Sequence, residues 1–422
     1  MDKFIVTGGT PLQGVIDISG SKNATLPIIV AAAILGQTQS VVTNVPNLAD
    51  VRTLQVVLRH LGSTTNFQNG TLTIDPIDLS SYEAPYDLVR RMRASIYVLG
   101  PLLARIGRAK VSFPGGCAIG PRPIDLHLEG LEALGADVEI EGGYINAQSN
   151  QLQGTEIYLK GVFGPSVGAT ANVMMAATLA KGTTTIQAAA CEPHIADLAH
   201  FLNRMGANIE GIGTTELKIH GVASLNGAHY AVVSDDIEAS TFMVAAAMTR
   251  GNLFLRGAVE DHVHAVARKL REIGVTLLWQ DDGVRVTTNQ PFSSTDIRTD
   301  AYPGFPTDMQ AQIIGLLSIT PGISVITETI HQDRFMHVAE LNRMGANIRI
   351  DGNSAVIHGV ERLSGAPVMA SDLRAGVVLV LAGLAAEGET TVSRIYHIDR
   401  GYEYLEDKLS AVGAEIRRIE DD

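Results

Sequence analysis

The chain has 422 residues, room for two to four domains at roughly 100–200 residues each and for a sizeable core. Its 32 Lys and Arg stand against 45 Asp and Glu, a formal charge of −13, which argues against a binder of nucleic acid or of an anionic membrane. Two cysteines, Cys117 and Cys191, exclude a disulfide framework and a cysteine-based zinc site.

In chain order, Met1-Asp2-Lys3-Phe4 lacks the apolar stretch of a signal peptide. The longest uncharged apolar run, 375–386, is too short to span a bilayer. With two thiols, these features predict a soluble cytoplasmic protein without membrane insertion. Residues 4–18, FIVTGGTPLQGVIDI, read as two strands around a turn. Next comes ATLPIIVAAAILGQTQSVV, an Ala-rich helix, a Gly stop and a β-branched strand. It is followed by an apolar-stripe helix that ends in LRHLGSTTNF.

Both pieces recur. The striped helix returns as LEALGADVEI, LNRMGANIEG, LREIGVTLLW, LNRMGANIRI and LSAVGAEIRR, with its glycine at 62, 135, 206, 274, 345 and 413. Gly fits a helix C-cap because that position often needs a positive φ. The Ala-rich helix returns as TANVMMAATLAKGTTTI and RAGVVLVLAGLAAEGETTV, with further copies near Met92, Ile237 and Asp308. Helices apolar all round are predicted to be buried. Six repeats therefore succeed one another, each reading helix, strand, loop, helix, strand, strand over about 70 residues.

The sixth repeat stops after Glu415-Ile416-Arg417-Arg418, one strand pair short. The strands of residues 4–18 have the missing pattern and are predicted to complete it. One domain then spans 22–231 and the other combines 1–21 with 232–422, three repeats each. Two crossings between them suggest a hinge around a cleft.

The buried helices start at Ser21-Lys22-Asn23, Arg91-Met92-Arg93, Ser166-Val167-Gly168, Asp236-Ile237-Glu238, Thr307-Asp308-Met309 and Asp372-Leu373-Arg374. Helix N-termini attract anions, and three of these starts also carry Lys or Arg, which points to a phosphate or carboxylate ligand. The loop Pro114-Gly115-Gly116-Cys117-Ala118-Ile119-Gly120-Pro121-Arg122-Pro123 mixes glycine and proline and reads as a lid. Cys117 rides on it near Arg122, a setting that makes a thiol reactive. Cys191 lacks such a setting and reads as structural. The histidines show no ligand spacing, so no metal is expected.

SGSKNA at 19–24, MRAS at 92–95, PGGCAIGPRPIDLH at 114–127, FPTDMQAQ at 305–312, RFMHV at 334–338, DLRA at 372–375 and YHIDRGYE at 396–403 carry a resemblance over essentially the whole chain. The sequence resembles the UDP-N-acetylglucosamine 1-carboxyvinyltransferase family, within the EPSP synthase superfamily of enolpyruvyl transferases. That resemblance implies an α/β fold, a two-domain inside-out α/β barrel of six helix-strand-helix-strand units. It implies transfer of enolpyruvyl from phosphoenolpyruvate to the 3-hydroxyl of UDP-N-acetylglucosamine with release of phosphate, the first committed step of peptidoglycan synthesis. No cofactor is implied.

Carried over residue by residue, Cys117 would be the general acid and the point of alkylation by fosfomycin, and Asp308 the base. Lys22, Arg122 and Arg400 would hold the phosphate beside Asn23, and Arg374 the carboxylate. Asp372 would orient that carboxylate or the intermediate. Arg93 would reach a substrate phosphate. Pro123, Ile124, Asp125 and Leu126 would line the uridine, with His127 near the diphosphate. Ser166, Val167 and Gly168 would offer N–H groups to that diphosphate, Ile330 would meet the sugar, and Arg334 lies on the facing loop. The chain departs from the family in the longer segment Lys160–Pro165 and in Asp236, where many relatives have a basic residue. An enolpyruvyl transferase with another acceptor and a non-catalytic sugar-nucleotide-binding regulator are the competing readings.

Overall fold

A computed structural model describes residues 2–420 apart from 77–79, 91 and 114–123. Among these residues the six repeats each end up as one four-stranded sheet with its helices. All six sheets share one plan. A strand runs parallel to the strand that follows the buried helix, and that strand pairs with an antiparallel strand pair, a hairpin in five sheets and the two ends of the chain in the sixth. In the third repeat, for instance, Glu156–Tyr158 lies parallel to Thr183–Gln187, which pairs with Glu216–His220 and through it with Asn208–Glu210.

The chain divides into two compact units at Ser19/Gly20 and at Val233/Ser234. In the unit from Gly20 to Val233, the last strand, His229–Ala231, returns to the first sheet and lies parallel to Ser40–Thr43. In the other unit Lys3–Thr7 fills the gap in the sixth sheet, between Glu389–Ser393 and Glu415–Ile419. Its neighbour Gln13–Asp17 joins the fourth sheet, parallel to Asn252–Arg256. The two N-terminal strands thus serve different repeats. The reason is that both edges of Lys3–Thr7 are already paired, so no hairpin partner can be accepted beside it.

All six predicted cap glycines have positive φ, from 92° at Gly135 to 114° at Gly62. The Ala-rich helices are buried nearly all round. In Leu373–Ala385 every residue but the last is buried, and Lys22–Ile34, Val167–Ala177 and Asp236–Met248 are similar. Helices Asp236–Met248, Gln310–Ser318 and Leu373–Ala385 pack on one another, and Leu99–Ile106 packs on both Lys22–Ile34 and Val167–Ala177. The second and fifth buried helices open through 3-10 turns, Arg93–Val98 and Thr307–Met309. In the second, Pro101 has no N–H to return to the Tyr97 carbonyl, which favours the tighter turn. Among the described residues no helix is long and apolar enough to cross a membrane.

Candidate active site

The predicted site residues divide between the two units. In the unit Gly20–Val233, Lys22 and Asn23 open the buried helix Lys22–Ile34, whose N-cap Ser21 accepts from Ala24 N at 3.3 Å. Arg93 opens the turn Arg93–Val98. Ser166 caps Val167–Ala177, accepting from Ala169 N at 3.2 Å. Ile124 is buried just before the helix Asp125–Ala133, which carries Asp125, Leu126 and His127. Arg122, Pro123 and Cys117 lie outside the described residues.

A buried network orients His127. Asn172 Oδ1 accepts the Gly100 N–H at 2.7 Å, so Asn172 Nδ2 is the donor to the Ile96 carbonyl at 2.8 Å and to His127 Nδ1 at 3.1 Å. His127 therefore accepts at Nδ1 and carries its proton on Nε2. Burial, then the Arg93 charge, lower its pKa to about 3, so the ring stays neutral. Nε2 faces the first turn of Val167–Ala177, where a Cβ on Gly168 would stand 2.8 Å from it. The ring thus places one N–H donor beside a helix N-terminus, a natural seat for an anion. The segment Lys160–Pro165 forms a short hairpin, Lys160–Gly161 paired with Gly164–Pro165, with Val162 and Phe163 exposed at its tip. Gly161 lies against Leu126, so this hairpin borders the predicted uridine residues.

In the other unit the predicted base and carboxylate holder touch. Asp308 Oδ2 accepts from Arg374 Nη2 at 2.8 Å and Nε at 3.2 Å, and Oδ1 accepts from Arg334 Nη1 at 2.7 Å. Arg374 and Arg334 are buried, while Asp308 keeps a partly exposed edge. Burial works against the Arg374 charge, but Asp308, ahead of Tyr402 and Asp235, outweighs it and raises the pKa above the usual guanidinium value. Asp372 caps Leu373–Ala385, its Oδ1 accepting from Arg374 N at 2.8 Å and Ala375 N at 3.0 Å. This cap fixes where the Arg374 side chain leaves the helix.

Ile330 is set by Glu328. The Glu328 carboxylate is fully buried and accepts from Thr299 Oγ1 at 2.8 Å, Thr307 Oγ1 at 2.9 Å, Ile330 N at 2.8 Å and His331 N at 3.0 Å. One side chain thereby ties the Ile330 backbone to the turn that holds Asp308. Replacing Glu328 with alanine strands these donors, and the expected cost is about 3 kcal/mol or more of stability. A urea midpoint within error of the native value would refute this.

Arg400 ends the turn Ile395–Arg400 and is half-buried. The preceding Asp399 receives Arg418 Nη2 at 2.6 Å and Nη1 at 3.0 Å, while Arg418 Nε reaches Glu406 at 2.6 Å. A bidentate pair of this kind holds the turn in one orientation.

Asp235 caps the helix Asp236–Met248, accepting from Ile237 N and Glu238 N. Burial, then the adjacent Asp235 charge, raise the Asp236 carboxyl to about 8. Unfolded, the same group titrates near about 3.9. The fold favours its protonated form, so the associated stability is whole below about pH 4 and is lost as pH rises through about 8. An Asp236→Asn variant is expected to match the native protein at pH 4 and to exceed it by about 2 kcal/mol at pH 9. Partial contact with water keeps the gain below the full titration value. Urea midpoints at the two pH values check this.

Reasoning from sequence did not find Glu328 or Tyr402, and it left Arg334 without a role. Glu328 sits in an ordinary strand end, TETI, and nothing local marks it. Cys191 is half-buried, and burial, then Glu192, push its thiol up, as suits an unreactive cysteine. Among the described residues no group of His, Cys, Asp and Glu is arranged to hold a metal ion.

The family model for EPSP synthase (3-phosphoshikimate 1-carboxyvinyltransferase) matches residues 6–409. A UDP-N-acetylglucosamine 1-carboxyvinyltransferase of Methylacidiphilum infernorum is 54% identical over 99% of both chains. One from Gluconobacter oxydans is 55% identical over 100% of both. Among solved structures, the enolpyruvyl transferase NikO from Streptomyces tendae superposes with a TM-score of 0.90 at 24% identity, covering 100% of this chain and 99% of its own. EPSP synthase from Acinetobacter baumannii does so at 0.77 and 18%, covering 100% of both chains. These two likenesses speak to the fold.

Proposed function

Since the chain belongs to the UDP-N-acetylglucosamine 1-carboxyvinyltransferase family, we propose that it transfers enolpyruvyl from phosphoenolpyruvate to the 3-hydroxyl of UDP-N-acetylglucosamine, releasing phosphate. The product opens peptidoglycan synthesis, and the reaction takes place in the cytoplasm. The observation that carries this reading is the pair Asp308 and Arg374, an acceptor for a hydroxyl proton in contact with a buried cation suited to a carboxylate.

The reaction needs three things. The methylene carbon of phosphoenolpyruvate gains a proton, which makes its neighbour electrophilic. The sugar hydroxyl loses a proton as it attacks. Fixed cations stabilise the phosphate and carboxylate throughout. Cys117 supplies the first proton, and the same thiol is the site that fosfomycin alkylates. Asp308 accepts the second. A substrate carboxylate at Arg374 competes with Asp308 Oδ2 for the same two N–H donors. Once that oxygen is released, it is available to the hydroxyl proton. Lys22, Arg122 and Arg400 take the phosphate beside Asn23, and Arg93 takes a phosphate oxygen of the nucleotide. Arg suits such planar, bidentate contacts. On the nucleotide side Pro123, Ile124, Asp125 and Leu126 line the uridine. His127 Nε2–H and the N–H groups of Ser166, Val167 and Gly168 face the diphosphate, and Ile330 meets the sugar. The compact units serve as its two domains.

Phosphate release in the presence of both substrates tests the proposal. No release with phosphoenolpyruvate and UDP-N-acetylglucosamine removes it, and release only with a different acceptor transfers the assignment to that acceptor.

A further inference from the structure

Tyr402 is buried, and its hydroxyl lies among polar groups of three helices. Arg374 Nη1 is 3.1 Å away, Thr241 Oγ1 2.9 Å and Gln312 Nε2 3.3 Å. Arg374 and the Gln312 amide nitrogen can only donate, so the Tyr402 oxygen accepts from both and its own proton turns toward Thr241 Oγ1. The guanidinium carbon also lies 5.5 Å from the Tyr402 ring centroid. With Nη1 on Tyr402 and with Nε and Nη2 on Asp308, every nitrogen of Arg374 is directed. Among the described residues, Tyr402 sets the guanidinium from the side away from Asp308.

The backbone that carries Tyr402 is seated with little freedom. Gly401 lies against Leu373, where a Cβ would come within 2.7 Å of Cδ2, and Gly376 lies equally close to Ile398. The segment bearing Arg400 and Tyr402 is thus pressed onto the helix bearing Arg374 at two points. Its far side is held by Arg418 on Asp399. Phenylalanine at 402 keeps the ring and the packing. It leaves one N–H of a buried cation without an acceptor, at a site too dry for water to replace it easily.

We propose that Tyr402 is a positioning residue for enolpyruvyl transfer, its hydroxyl holding Arg374 at the angle from which the guanidinium serves Asp308 and the substrate carboxylate in turn. The inference rests on the transferase reading above. Tyr402 touches no substrate in this scheme and acts only through Arg374.

Steady-state kinetics of Tyr402→Phe test it. The KM for phosphoenolpyruvate is expected to rise about tenfold, the consequence of losing one charge-assisted hydrogen bond, while the KM for UDP-N-acetylglucosamine stays within about twofold. A general loosening of the fold would move both. Equal rises in the two KM values, or no rise in either, overturn the proposal. Should Tyr402→Phe fail to fold, Thr241→Val replaces it, removing a partner of the hydroxyl at nearly constant shape. Its phosphoenolpyruvate KM is expected to rise about threefold, with Thr241→Ser restoring the native value. An unchanged KM in Thr241→Val overturns the proposal equally. Native protein that releases no phosphate in this assay defeats the transferase reading, whereas native turnover with an unaltered Tyr402→Phe defeats the positioning role alone.

Discussion

An Asp308→Ala variant is expected to turn over about a thousandfold more slowly while still binding UDP-N-acetylglucosamine. General-base catalysis by a placed carboxylate contributes about 10²–10⁴ in rate, and alanine cannot take the hydroxyl proton. The same change strands two buried arginines, Arg374 and Arg334, both directed at the lost carboxylate. Removing one partner of a buried ion pair costs about 3–5 kcal/mol, so the variant is also expected to unfold at lower urea. Asp308→Asn separates the two effects. It keeps one accepting oxygen and the shape, so its rate falls comparably while its stability falls less. Phosphate release and urea midpoints on both variants check this, and a near-native rate in either would place the base elsewhere.

Cys117→Ser is expected to lose at least about a hundredfold in turnover and all covalent labelling by fosfomycin. A hydroxyl is a much weaker acid than a thiol, whose pKa begins near about 8.5, so it delivers the methylene proton poorly. It is also a poor nucleophile toward an epoxide unless a base activates it. Intact mass after incubation with fosfomycin gives the answer directly. The native chain is expected to gain one inhibitor mass and the variant none. A labelled variant would mean that the reactive group is another residue.

Much of this protein is legible along its sequence. The glycines at 62, 135, 206, 274, 345 and 413 predict helix ends because the requirement for a positive φ is local to one residue. Runs such as RAGVVLVLAGLAA predict buried helices because no polar face exists to meet water. Ser21, Ser166 and Asp372 mark helix starts because each side chain accepts from a backbone N–H of the first turn, again a local requirement. Even the need for an N-terminal strand in the sixth repeat follows from counting strands. Counting assigns both N-terminal strands to it, but only Lys3–Thr7 takes that place and Gln13–Asp17 joins the fourth sheet, since the outcome depends on which sheet edges are vacant.

The arrangement of the candidate site is legible only in part. Asp308 and Arg374 can be nominated by motif, but their direct contact joins positions 66 residues apart. Arg334 as the second partner of Asp308, Glu328 as the anchor of Ile330, and the proton on His127 Nε2 have no mark in the surrounding sequence.

The sequence by itself determined six repeats, where their helices start and stop, which helices are interior, and the family. Those properties arise from backbone preference and hydrophobic periodicity, which act over a few residues. Only the tertiary structure decided how two arginines share one carboxylate, which hydroxyl orients Arg374, and which tautomer His127 adopts. Each of these depends on donor and acceptor atoms meeting through space at hydrogen-bond distance, and that meeting exists only once separate helices have packed.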